Sequence, residues 1–424
     1  MSTKESPLNL CRDADRSRPE TSTTMVVSGP LLTRSALLLF AIAAGLSVAN
    51  VYFAQPLLDA FSEQFAFGTA SVGFVVTVTQ IGYALGLFLI VPLGDWLDRR
   101  RLVVSQLALS VTALVVVGCA TTKTTLLIAM FFVGLFAVVV QVLVAFAGSL
   151  ALPEQRGSAV GTVTGGVVLG ILLARTVAGL LSDAAGWRSV YLCSAALTLL
   201  LSWALFRVLP DAPVIRTHHS YSHLLRSVID LLLSSPTLRI RAGIALLLFA
   251  SFATLWTSLV FPLSSPPHSF SRTAIGLFGL AGMAGAFAAG RAGRMADRGW
   301  GNWTTGVGLV LLLGSWWPIG CLHRSMVELT IGIILLDFAV QAVHVTNQSM
   351  IFAAHPESRS RVVAAYMIFY SIGSGIGAIA STKAYAVSGW VGVCTLGTCF
   401  SSTALIFWIF TAVVPGRRPA RNLD

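Results

Sequence analysis

Apolar residues fall in runs of about 20 along this chain, the length a helix rising 1.5 Å per residue needs to cross a bilayer. Short clusters of Gly, Pro, Asp and Arg separate the runs. The runs cover 35–58, 70–93, 102–121, 125–150, 158–181, 188–208, 240–262, 273–292, 303–322, 327–352, 362–385 and 389–414. This pattern predicts an all-α integral membrane protein with twelve transmembrane helices. The one long interior break, 209–239, divides them into six and six. Residues 1–33, polar and rich in Ser, Thr and Arg, are expected to form a disordered tail before the first span. Met25 is a second candidate start. The first apolar stretch is too long for the core of a signal peptide.

Inside the break, Leu224, Leu225, Val228, Ile229, Leu231 and Leu232 make one apolar side, which predicts a short helix lying on the membrane surface. His218, His219 and His223 precede or flank it and are read as solvated, not as a metal site. The expected domains are therefore a tail (1–33), a first six-helix bundle (34–208), a central loop (209–239), a second bundle (240–414) and a short tail (415–424).

The two halves echo each other. Gly94-Asp95-Trp96-Leu97-Asp98-Arg99 and Gly293-Arg294-Met295-Ala296-Asp297-Arg298 both read G-x-x-x-D-R, one after span 2 and the other after span 8. Pro153-Glu154-Gln155-Arg156 follows span 4, and Pro356-Glu357-Ser358-Arg359 follows span 10. Two matches at nearly one offset indicate an internal repeat of about 200 residues. Two halves related about an axis along the membrane normal leave a cavity between them.

Composition agrees with lipid as the main solvent: 55% of residues are hydrophobic and 11% charged, against about 25% charged in soluble domains. The net charge of +11 is explained by topology and not by nucleic acid, because Lys and Arg sit between the spans. With the N-terminus inside, 22 of the 28 basic residues fall on the cytoplasmic side, among them Arg99 to Arg101, Arg156, Arg241, Arg298 and Arg359. Lys123, Arg188, Arg272, Arg324 and Lys383 fall outside, and Arg175 lies within a span. Both termini are thus expected in the cytoplasm, and the end bearing the 22 residues is called the basic end below.

At these loops the chain resembles the major facilitator superfamily. Gly94, Asp98 and Arg99 match fixed positions of that superfamily's signature between helices 2 and 3, while Trp96 and Arg101 depart from it. The segment Asn50-Val51-Tyr52-Phe53-Ala54-Gln55-Pro56-Leu57-Leu58 is similar to helix 1 of bacterial drug:proton-antiporter-like efflux members. The resemblance covers roughly 35–414. It implies two six-helix bundles around a central cavity. It also implies a gating role for Gly94, Asp98 and Arg99 and their counterparts Gly293, Asp297 and Arg298. Gly94 would let its loop approach a neighbouring helix, and Asp98 would cap and charge-pair across the interface between the halves, stabilising the outward-facing state. Two departures stand out. The helix-5 Gly-Pro pair of many antiporters is missing, although Gly166, Gly170, Ala174 and Ala178, with Gly179 beside them, still form a smooth packing ridge. Helix 4 lacks the arginine that many proton-coupled members place there, and Gln141 is its polar landmark.

Charge inside the bilayer marks the candidate chemistry. Asp337 is the one acidic residue well within a span, and Arg175 is the basic one. Each costs at least about 2.5–3.5 kcal/mol at the bilayer centre, so each is expected to face a cavity or a partner. The two lie at similar depth and are expected to pair or to take turns binding a substrate or proton. Asp337, Gln341, His344 and Gln348 follow i, i+4, i+7, i+11 spacing, which places them on one helical face. Asn347 lies off that face. Asn50, Tyr52, Gln55, Gln80, Tyr83, Gln141, Tyr366 and Tyr370 complete the polar candidates. Trp256 is read first as packing and second as a ligand-stacking surface.

No G-x-x-x-x-G-K-[ST] loop is present, so nucleotide hydrolysis by that machinery is excluded, and neither H-E-x-x-H nor G-x-S-x-G points to a hydrolase. The expected function is secondary transport of a small organic molecule across a bacterial inner membrane, by proton-coupled efflux. An uptake symporter, a uniporter and a non-transporting receptor are the alternatives. No cofactor or metal is expected, and the working unit is expected to be a monomer whose partners are its substrate, protons and the lipid bilayer.

Overall fold

A computed structural model describes residues 33–95, 97–152, 155–209, 221–282, 290–355 and 359–413. The expected tails, His218, His219, Trp96, Pro153-Glu154 and Pro356 to Ser358 lie outside the described residues.

Every long described element is a helix. The first half holds α1 (Arg34–Phe65), α2 (Phe74–Gly94), α3 (Arg99–Gly118), α4 (Lys123–Leu150), α5 (Arg156–Ala185) and α6 (Trp187–Val208). The second holds α7 (Pro236–Ser264), α8 (Arg272–Ala281, with helix again at 290–295), α9 (Gly301–Gly320) and α10 (Met326–Ala354). The helical stretch Arg359–Val413 breaks at Ser388 and Gly389, which makes α11 (359–387) and α12 (390–413). Among the described residues these make twelve membrane helices, in two groups of six.

Polar side chains set where these helices begin. Thr33, Asp98, Thr122, Ser235, Ser271 and Ser325 each accept a hydrogen bond from the backbone N–H three residues on, satisfying donors that a helix start leaves open. The expected first span is not one regular helix: α1 loosens at Phe53 and Ala54, then continues through Gln55–Leu57 and Leu58–Phe65, past the expected end. The predicted surface helix runs Tyr221–Ser234 and buries Leu224 and Val228, while Ile229 and Leu233 stay exposed. The Tyr221 hydroxyl donates to the Leu89 carbonyl at 2.7 Å, tying this helix to α2.

The repeat seen in the loops extends to the joints and the packing. Gly186 (φ 78°) turns α5 into α6, and Gly389 (φ 60°), 203 residues later, turns α11 into α12. Both occupy the left-handed region that a Cβ disfavours. Gly170 of α5 lies against Gly45 of α1, and Gly373 of α11, again 203 residues on, lies against Leu246 of α7. In each half, then, a small residue on the fifth helix lets it close on the first. Gly82 and Gly134 do the same for α2 and α4: a Cβ on either would fall on a backbone carbonyl of the other helix. The halves meet along α2–α11 and α5–α8.

Packing of this kind separates buried from lipid-facing glycines. Gly82→Val and Gly134→Val are expected to cost about 1–3 kcal/mol through overpacking, whereas Gly314→Val, with open space around its Cα, is expected to cost nothing measurable. Thermal unfolding of the detergent-solubilised protein, followed by size-exclusion chromatography, checks this.

Candidate functional site

The two intramembrane charges converge at the seam between the halves. The Gly–Ala face of α5 brings Arg175 there: Gly170 closes on α1, and Gly276 of α8 lies against the Arg175 backbone. Arg175 is 2% exposed. Its Nε donates to Gln55 Oε1 at 2.9 Å, and its guanidinium lies 3.8 Å from the ring centre of Trp256, with Tyr52 and Phe252 also around it. Nη2 is buried with no hydrogen-bond partner among the described residues. Asp337, on α10, is 5% exposed and accepts from Trp256 Nε1 at 3.1 Å. Its Oδ2 abuts Gly282, where a Cβ would collide with it.

Of the two expected relations, pairing or taking turns, direct pairing of Arg175 with Asp337 is not seen among the described residues. Trp256 links them, stacking on the cation with its face and donating to the anion with its edge. An indole suits this position because its π face attracts cations and its N–H is a donor. Trp256 is a connecting element of the site, not mere packing.

Toward the basic end the site narrows to an aromatic layer. The Tyr52 hydroxyl meets the Tyr370 hydroxyl across the halves, and Phe249 packs on Tyr370 with ring centres 3.9 Å apart. The α10 stripe splits. Asp337 serves the central group, while His344 Nδ1 hydrogen-bonds the Tyr366 hydroxyl at 3.0 Å. Gln341 and Gln348 are half-buried. Asn347, off the stripe, is fully buried and more engaged than either glutamine: its Oδ1 accepts from Arg241 at 3.2 Å and its Nδ2 donates to Tyr366 at 3.5 Å. Arg241, placed by sequence among the solvated basic residues, is 5% exposed. Thr305 Oγ1 at 2.8 Å and Asn302 Oδ1 at 2.5 Å complete its shell.

Other candidates divide between seam and scaffold. Gln80 Oε1 accepts from Ser371 Oγ across the halves at 2.8 Å, and Gln141 donates to Tyr83 at 3.4 Å. Asn50 accepts from Ser194 at 2.6 Å, which ties α1 to α6 inside the first half, away from the seam. Gly166, Gly170 and Gly179 all make close helix contacts, the last with Arg272 and Thr273 of the other half. Gly94 does not make the expected close approach, since a Cβ there would meet only Leu102 and Val142 at 3.8 and 3.9 Å. Gly293 likewise has ordinary room. Asp98 makes the expected cap, on α3 through the Arg101 N–H; its pairing across the halves is implied for the outward-facing state, with the basic end closed. Arg99 bonds the Gly94 carbonyl and Ser149 within its own half. Arg298 is exposed, and the side chain of Asp297 lies outside the described residues.

The seam is closed at one end and open at the other. At the end opposite the basic one, Asp59 and Arg272 form an ion pair at 2.9 Å between the halves, and Asp183 accepts from the Thr273 N–H at 2.8 Å. Thr176 donates to the Gly276 carbonyl, Thr77 to the Gly375 carbonyl and Thr382 to the Ala70 carbonyl. At the basic end, by contrast, a cleft of about 320 Å³ opens between the halves, lined by Arg99, Gln141, Arg156, Phe352 and Val363 among others. A small void beside Arg175 and Trp256, about 10 Å³, holds at most one water. Sequence reading missed Asp59 and Arg272. Each sits at a span end, but they are 213 residues apart, and no local pattern joins them.

Comparison with known proteins places this architecture. Residues 37–319 match the Major Facilitator Superfamily model. The chain is 45% identical over 377 residues to an uncharacterized transporter, YgaY, of Escherichia coli O157:H7, covering 89% of this chain and 95% of that one. It is 30% identical over 388 residues to a probable transporter of Streptomyces coelicolor, covering 89% and 87%. Among solved structures, a bacterial homologue of the human lysosomal transporter Spinster, in an inward-facing and unoccupied conformation, superposes with a TM-score of 0.74 at 15% identity, covering 91% of this chain and 98% of that one. At that identity the likeness speaks for the fold alone. With two six-helix groups, a seam lined by polar groups and a family match over most of its length, the chain belongs to the Major Facilitator Superfamily and is a membrane transporter of that type.

Proposed function

We propose that this transporter is a secondary carrier that exports small organic molecules across a bacterial inner membrane in exchange for protons, as a monomer with its basic end in the cytoplasm. The observation that supports this best is the buried group formed by Arg175, Trp256 and Asp337, held by helices of both halves. A carboxylate away from water, with one N–H donor and no direct cation, is costly when charged. Proton uptake removes that cost, and proton loss restores a binding charge. The same group lies in the seam between a closed end and an open one. The halves rock about it, so that the Asp59–Arg272 end opens when the cleft at the basic end shuts. Drugs, nucleosides and other polar organic solutes suit the lining of Tyr52, Gln80, Tyr83, Gln141, His344 and Tyr370.

Two outcomes follow. In everted vesicles energised by respiration, at least one compound from a panel of drugs, nucleosides, sugars and amino acids is expected to release protons, read by a pH-sensitive dye. Asp337→Asn at equal protein level is expected to abolish the signal. Silence across the panel, or an undiminished signal in the variant, counts against proton exchange. At the closed end, Asp59→Asn removes the ion pair. In a background without native cysteines, it is expected to speed labelling of Ser182→Cys by a membrane-impermeant maleimide added to intact cells. An unchanged labelling rate would mean that the pair does not hold that end shut.

A further inference from the structure

The central group carries two opposite charges, and each has an unused side. Arg175 Nη2 is buried without a partner among the described residues. Asp337 accepts one hydrogen bond, on Oδ1 from Trp256, and Oδ2 accepts none there. No hydrogen bond or ion pair joins the two charges among the described residues. Trp256 holds them apart: the guanidinium is on its face and the carboxylate at its N–H. A direct ion pair would have satisfied both ions and closed the site. Instead the protein keeps a cation and an anion one indole apart, and the described residues fill both only partly, an arrangement that costs more than a paired one.

We infer that the substrate is a zwitterion, an aminocarboxylate with an apolar or aromatic side group, whose carboxylate binds Arg175 and whose ammonium binds Asp337. This rests on the export reading above and names its substrate class. An aminocarboxylate has its own two charges a few bonds apart, which suits a host whose charges are separated by a ring. Arg175 offers its unpartnered Nη2 to the carboxylate in a charge-assisted hydrogen bond. The ammonium takes the place on Asp337 that a proton otherwise occupies. A simple organic anion would leave the proton on Asp337 and gain nothing from it, and a simple amine would leave Arg175 unpaired. The side group faces aromatic surface: Phe249, Phe252 and Tyr370 lie next to the group. The void beside Arg175 is too small for such a molecule, so the Tyr52–Tyr370 contact parts to admit it from the cleft at the basic end.

Exchange with a proton follows from the same geometry. Ammonium and proton compete for one carboxylate, so binding of the zwitterion to the protonated site drives the Asp337 proton into solution. A carrier that holds one or the other exchanges them, as the export reading requires.

Three probes of nearly one shape test this: phenylalanine, 3-phenylpropionate, which lacks the amine, and phenethylamine, which lacks the acid. Binding to the full chain in lipid nanodiscs is measured by titration calorimetry in buffers of different ionisation enthalpy. Phenylalanine is expected to bind about tenfold or more tightly than either truncated probe, a difference of about 1.4 kcal/mol per tenfold step, with proton release. Arg175→Gln is expected to erase the advantage over phenethylamine. Arg175→Lys, which keeps the charge and guards against a folding defect, is expected to retain part of it. Asp337→Asn is expected to erase the advantage over 3-phenylpropionate together with the proton release. Equal binding of a truncated probe, survival of both advantages in the variants, or no binding of any probe would overturn the inference. The measurement uses no gradient, so its failure leaves the vesicle result standing, and failure in vesicles leaves this result standing.

Discussion

A guanidinium in the middle of a membrane protein has to be compensated by whatever surrounds it, and Arg175 sets much of the architecture through that requirement. The cost of a charge at that depth is at least about 2.5–3.5 kcal/mol. It falls only if lipid is kept away and if oxygen and π surface are brought close. Gln55 and Trp256 supply the contacts, from helices of opposite halves. They reach Arg175 because α5 is thin along this face. Gly166 and Gly170 admit α1 on one side, and Gly179 admits the start of α8 on the other. Without those small residues the helices would stand off, and the cation would meet lipid or a hole.

The seam can come apart because of how it is held. Several bonds across it run from threonine or serine hydroxyls to carbonyl oxygens, as at Thr77, Thr176 and Ser371. Water can replace such bonds at small net cost. The Asp59–Arg272 pair is also of an exchangeable kind, since both side chains remain partly exposed and a half-solvated pair is worth little. Within each half the joints are different. There glycines place one helix backbone against another, as at Gly82, Gly134 and Gly373, and such contacts do not re-form elsewhere once broken. Rigid halves joined by a soft seam are a bistable device, and small changes of charge at the centre can tip it.

Much of this was legible in the sequence, and the reason is the solvent. Lipid forces every spanning backbone to be helical, so apolar runs gave twelve helices with ends a few residues off, and the basic loops gave a repeat that Gly186 and Gly389 extend. The same logic singled out Arg175 and Asp337, because charge within a span is rare. It stopped where the answer depended on contacts between distant segments. Asp59 and Arg272 look ordinary at their span ends. Asn347 looked marginal by helical phase, because its value comes from Arg241, on another helix. Trp256 looked like packing, because its two roles need two partners that lie 81 residues either side of it. Asp98 was legible only in part: its carboxylate caps its own helix, while the bond across the halves that the motif implies belongs to the outward-facing state, with the basic end closed.

Arg241 shows why Arg175 deserves the functional weight. Both are arginines in membrane helices, and both are almost completely buried. Arg241 is surrounded by Thr305, Asn302 and Asn347, neutral acceptors on two neighbouring helices of its own half. Such a shell disperses the charge, needs no partner ion and ties α7 to α9 and α10 whatever the seam does. Among the described residues Arg175 has one neutral acceptor and an aromatic face, drawn from both halves, and an idle nitrogen. A purely structural role would have been met more cheaply by the first arrangement, which this same protein builds a few turns away. That it leaves the second incompletely satisfied among the described residues, beside a carboxylate in the same condition, is what supports the proposed binding role over a scaffold.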